Sequence, residues 1–107
     1  MSLADKKCVP CETRVPPFTP DEIKQHLPEL KLTWEVIDNK KLKHVFKFKN
    51  FKAAMEFVNK VAAVAESEGH HPDMYIFYSK VRIELWTHFI GGLHENDFIL
   101  AAKIEQL

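Results

Sequence analysis

The stretch KLKHVFKFKNFKAAMEFVNKVAAVAESEG, residues 41–69, changes its hydrophobic period halfway along, and that change decides the fold. From Lys41 to Lys49, Leu42, His44, Phe46 and Phe48 share one face while Lys41, Lys43, Lys47 and Lys49 share the other, the alternation of a half-buried strand. Asn50 is suited to cap a helix. Beyond it Phe51, Ala54, Met55, Val58, Val61, Ala62 and Ala65 recur at helical spacing, with Lys52, Glu56, Lys60 and Glu66 opposite and Gly69 as the stop.

On the N-terminal side, Leu32, Trp34 and Val36 alternate with Thr33 and Glu35, and Asp38-Asn39-Lys40 supplies turn residues, which predicts a β-hairpin. Thr19-Pro20-Asp21-Glu22 is a capping box with proline at the first helical position, opening a short helix that Pro28 stops. Residues 1–18 hold three of the six prolines and no periodicity. They read as a flexible arm lying on or off a single domain, 19–107. On the C-terminal side a second hairpin is expected, Met74–Tyr78 and Val81–His88, with Val81, Ile83 and Leu85 on its inner face. Gly91-Gly92 then turns the chain into a last helix from about Glu95, apolar on most sides. The order α-β-β-α-β-β-α predicts an α+β fold, a four-stranded antiparallel sheet with three helices on one face.

Composition narrows the function classes. A chain of 107 residues, 46% hydrophobic and 28% charged, suits one globular core. No run reaches the roughly 18 apolar residues of a membrane span. Lys+Arg and Asp+Glu both number 15, so no global field draws the protein to nucleic acid or anionic lipid. The lysines cluster between Lys40 and Lys52, where a charge-covered strand face is the commoner explanation. The first residues lack an apolar segment of the secretory kind, so an intracellular, cytoplasmic protein is expected. Cys8 and Cys11 form Cys-Val-Pro-Cys, half of a zinc site or a redox pair at most; without a second such pair a reduced tail is the simpler reading.

Six histidines are present. His44 alternates with core residues, His26 sits near a helix end, and His94 falls at the expected N-cap of the last helix. His70, His71 and His88 remain. If Ser79-Lys80 forms a two-residue turn, Tyr78 pairs with Val81, Ile76 with Ile83, Met74 with Leu85 and His71 with His88. Directly paired residues hold their Cβ atoms about 5 Å apart, so His71 and His88 would line one site. His70 is adjacent, and Glu66 lies one helical turn back, a carboxylate able to fix a histidine's tautomer. Neighbouring histidines in an extended segment diverge, which disfavours a tight metal site. General acid–base chemistry fits better, and a polar His-His-Pro strand start without chemistry stays open.

Glu66-x-x-x-His70-His71-Pro72, the aromatic run ending at Tyr78, Lys80-Val81, Thr87-His88, Gly91-Gly92-Leu93 and Asp97 together resemble the pterin-4a-carbinolamine dehydratase family, from about Thr19 to the C-terminus. The resemblance implies conversion of 4a-hydroxytetrahydropterin to quinonoid dihydropterin and water, recycling the cofactor of aromatic amino acid hydroxylases. It implies His70, His71 and His88 as active-site histidines, with Glu66 and Asp97 as supporting carboxylates. The chemistry of the residues then assigns His70 and His88 as the acid–base pair and His71 to bind the pterin, with Trp86 or Tyr75 flanking the ring or, equally, forming a subunit contact. Neither a metal nor a cofactor is expected, nor a nucleic-acid or membrane partner.

Members of the family are dimers or tetramers, so a homodimer or homotetramer is expected. The apolar last helix and the outer sheet face, where Val45, Tyr75, Phe77 and Trp86 stand among lysines, Arg82 and Glu84, point the same way. Some animal members act as dimerisation cofactors for a homeodomain transcription factor, which keeps a non-enzymatic interaction module as the alternative. Three positions depart from the family's habits. His94 stands where Ser or Thr commonly caps, and Ser79 where Asn is common. Trp86 stands where animal members have a small polar residue, which argues against the transcriptional role.

Overall fold

Caps at the expected positions delimit the helices. In the computed structural model, which describes residues 3–8 and 16–107, Thr19 and Glu22 form the reciprocal capping box that starts α1, Pro20–His26. A 3-10 turn, Leu27–Glu29, carries Pro28 and ends it. The Asn50 side chain accepts the Ala53 N–H at 2.8 Å and opens α2, Phe51–Glu68. Gly69, at φ +66°, closes that helix in the left-handed conformation that a Cβ would strain. The third helix, α3, spans Glu95–Ile104 with His94 as N-cap.

The strands β1 (Glu35–Ile37), β2 (Lys41–Lys47), β3 (Asp73–Phe77) and β4 (Lys80–Leu85) form one antiparallel sheet in the order β1-β2-β4-β3. Leu42, Val81, Ile83 and Leu85 are fully buried on its inner face, where Ala54 and Val61 of α2 and Phe98 and Ile104 of α3 complete the core. The architecture is the expected α+β sheet with helices on one face. Element boundaries differ in places. Residues 32–34 do not join β1, because the Glu105 carboxylate takes the backbone N–H groups of Lys31 and Leu32 and the Trp34 indole N–H. β2 stops at Lys47, although Phe48 still donates to the Ser79 carbonyl at 2.8 Å.

The second hairpin pairs two residues away from the expected register. Ile76 faces Val81 and Met74 faces Ile83, so the two-residue loop is Tyr78-Ser79, with Tyr78 at φ +53°. A slip of two keeps every side chain on its face, and so the apolar pattern satisfied both registers. His71 and His88 are therefore not a directly paired couple. β4 ends at Leu85, and His88 sits outside it in a 3-10 turn, His88–Ile90.

Of the expected arm, residues 3–8 and 16–18 are described, and both pieces lie on the domain. Leu3 is buried against α3, Lys103 donates to the Ala4 carbonyl at 2.8 Å, and Phe18 N–H donates to the Leu93 carbonyl at 2.7 Å. Cys8 packs there too, its N–H on Glu68 at 2.8 Å. Burial, with Glu68 nearby, pushes its thiol up to about 12, which keeps it protonated. Its sequence partner Cys11 lies outside the described residues.

Candidate active site

Two chain reversals build the site at one end of the sheet. After Gly69 the chain passes beneath the end of α2, with His70 N–H donating to the Ala65 carbonyl at 3.2 Å. His70 then turns inward and is buried, whereas the next side chain, His71, is 62% exposed. Opposite, just past the end of β4, Thr87 N–H donates to the Gly92 carbonyl at 2.8 Å, closing a small loop that presents His88. That loop is fixed from behind by close packing. A Cβ on Gly92 would stand 2.6 Å from the Pro17 Cβ, so no larger residue fits without movement.

Between these reversals lies an open cleft of about 320 Å³. His70, His71 and Asp73 line one side, and Trp86, Thr87, His88 and Phe89 the other. All three singled-out histidines and Trp86 thus meet in one place, despite the altered register. The size and the mixture of aromatic and polar walls suit a small flat heterocycle.

Each histidine faces its own carboxylate through Nε2. His70 donates to Asp97 Oδ1 at 2.6 Å, and this pair is buried. The other Asp97 oxygen accepts from Thr87 Oγ1 at 2.9 Å and from the His94 backbone N–H at 3.0 Å, so one carboxylate orients the histidine and caps α3 together. His71 donates to Glu66 Oε2 at 3.1 Å with both groups largely exposed, where solvent screens the pair. His88 Nε2 lies 3.8 Å from Asp73 Oδ2, and its ring stacks on Trp86 with centroids 4.0 Å apart. An imidazole whose Nε2–H points at a carboxylate has Nδ1 free to accept a proton when neutral and to give one when charged.

Glu66 stands at the rim, outside the cleft lining, and Asp97 stands behind His70. Tyr75 is also outside, under the Arg82 guanidinium at 4.1 Å. The remaining histidines are held elsewhere. His44 Nδ1 donates to the Thr33 carbonyl at 2.9 Å, and His26 Nδ1 to the Glu22 carbonyl at 2.8 Å. Asp73 escaped the sequence reading, and Thr87 entered it only as part of the Thr87-His88 motif, with no role assigned. Their short polar side chains beside His-His-Pro and before His88 were the available signal. Among the described residues no three His, Cys, Asp or Glu side chains converge as metal ligands would.

Comparison with known proteins identifies the family. Residues 16–107 match the family described as pterin 4 alpha carbinolamine dehydratase. A relative from Alkaliphilus metalliredigens, provisionally named a pterin-4-alpha-carbinolamine dehydratase, is 49% identical over 98% of this chain and 95% of its own. One from Rickettsia canadensis with the same provisional name is 52% identical over 96% of this chain and 94% of its own. Among solved structures, a transcriptional coactivator/pterin dehydratase from Brucella melitensis superposes with a TM-score of 0.78 at 32% identity, covering 84% of this chain and 96% of that one. A pterin dehydratase-like RuBisCO assembly factor shares the fold, with a TM-score of 0.61 at 22% identity over 71% of this chain and 89% of its own. By sequence and by fold, the chain belongs to the pterin 4 alpha carbinolamine dehydratase family.

Proposed function

We propose that this protein dehydrates 4a-hydroxytetrahydropterin to quinonoid dihydropterin in tetrahydrobiopterin recycling, using His70 and His88 as the acid–base pair. The observation that carries the reading is the meeting of His70, His71 and His88 in one cleft, each with its Nε2 turned to a carboxylate.

The reaction breaks the C4a–O bond and the N5–H bond and forms a C4a=N5 double bond, with no change of oxidation state. One group must protonate the departing hydroxyl and another must take the N5 proton, both near neutral pH. Two imidazoles in opposite protonation states do this, and exchanging roles would serve the two 4a epimers. His70, rigidly held by the buried Asp97, is one; His88, against Trp86, is the other. His71, more exposed at the rim, binds and orients the pterin, and Trp86 offers a flat wall for the ring. We further infer a cytoplasmic homodimer or homotetramer, with the pterin as the small-molecule partner.

The test supplies purified protein with chemically generated 4a-hydroxypterin and follows dehydration above the spontaneous rate. His88→Ala should lower turnover by about 10² or more, the scale of a lost general acid or base. His71→Ala should chiefly raise KM. No acceleration by the wild type would leave the interaction module as the better reading, and unchanged turnover in folded His88→Ala would remove His88 from the mechanism.

A further inference from the structure

His70 owes its orientation to a buried carboxylate, whereas His88 sits on a surface turn with a side chain 58% exposed. An unsupported imidazole there would sample several rotamers and both tautomers, which general acid–base chemistry tolerates poorly. Three contacts close into a ring that restricts this freedom. The Trp86 indole Nε1–H donates to Asp73 Oδ2 at 3.1 Å. The Trp86 ring stacks on the His88 ring at 4.0 Å, with the planes 29° apart. His88 Nε2 faces the same Asp73 oxygen at 3.8 Å, an electrostatic contact longer than a hydrogen bond. Asp73 is the only carboxylate among the described residues lining the cleft.

Backbone structure gives this ring its rigidity. Asp73 opens β3 and pairs with Glu84 of β4, while Trp86 follows β4 directly, so the two side chains stand as diagonal neighbours on one sheet face. The Lys41 ammonium lies 5.1 Å from the Trp86 ring centre and further fixes the indole. The indole in turn fixes the carboxylate.

We propose that Asp73 is a positioning residue for His88. Acting through Trp86 and by the charge of its carboxylate near Nε2, it selects the tautomer in which Nδ1 is presented to the substrate. The mechanistic part of this proposal rests on the dehydratase reading above; the tautomer part stands without it.

The experiment compares wild type, Asp73→Asn and Asp73→Glu in the dehydration assay and by nitrogen-detected NMR of the His88 ring. Asparagine can still accept from the indole but loses the charge that draws Nε2–H. The expected result for Asp73→Asn is a fall in kcat of about 10-fold, smaller than that from deleting the imidazole, with KM nearly unchanged. The fraction of His88 protonated at Nε2 in the neutral ring should fall in the same variant, and Asp73→Glu should restore both. A folded Asp73→Asn protein whose His88 tautomer balance matches wild type overturns the proposal, whatever its activity. If the wild type fails to accelerate dehydration, the functional reading fails, and the NMR comparison alone decides whether Asp73 sets the tautomer.

Discussion

Asp97 is the residue on which local stability and the site's geometry depend together. Its fully buried carboxylate accepts from His70 Nε2, Thr87 Oγ1 and the His94 N–H, and removing it strands three donors away from water. Asp97→Ala should cost about 3 kcal/mol or more, as for other broken buried pairs, read as a lower urea midpoint at unchanged m. Glu66→Ala, by contrast, removes a screened surface partner and should leave the midpoint unmoved. A midpoint for Asp97→Ala equal to wild type would mean that the three donors find other partners. His70, His71 and His88 were legible as a group because residue type and spacing carry chemistry. That one carboxylate serves His70, Thr87 and a helix cap was not legible, because the three partners come from separate segments and converge only through packing.

At the scale of elements, capping chemistry was the most readable signal, since Thr19, Asn50 and Gly69 act on backbone within a turn of themselves. The first hairpin turn was equally local. Asp38 and Asn39 stand at φ +52° and +56°, a conformation these short polar side chains tolerate, and Lys40 N–H bonds the Ile37 carbonyl at 2.9 Å. The second hairpin turn hid itself, because the residue taking the positive φ is Tyr78, no usual turn former, and its strain is outweighed by pairing along β3 and β4. That side chain is 72% exposed, so it contributes little packing in return. Tyr78→Asn should therefore raise stability by about 0.5–1 kcal/mol, the scale of left-handed strain relieved. Thermal unfolding of the variant checks it, and a lowered midpoint would show that Tyr78 makes a contact worth more than its strain.

At the scale of the molecule, the question is what covers the remaining apolar surface. The apolar girth of α3, which argued for a partner in the sequence, is met within the chain by Leu3 and the segment around it. Local pattern could not show this, since the arm has no periodicity and its docking depends on long-range contacts. None of the described residues covers the outer sheet face in this way. Val45, Tyr75 and Phe77 stand exposed on it, and β3 is an edge strand of the sheet. Part of its charge is matched internally. Glu84 is buried between Lys41 at 3.6 Å and Arg82 at 3.2 Å, while the Arg82 guanidinium lies over Tyr75. Where Glu84, Lys41 and Arg82 are paired, the exposed Val45, Tyr75 and Phe77 offer apolar area at reduced desolvation cost, which suits a second copy of the same surface related by a two-fold axis. Light scattering at micromolar concentration should return at least twice 12.5 kDa, and Phe77→Lys should shift the mass toward the monomer without unfolding the chain. A wild-type mass near 12.5 kDa would refute self-association and leave this face available to another protein.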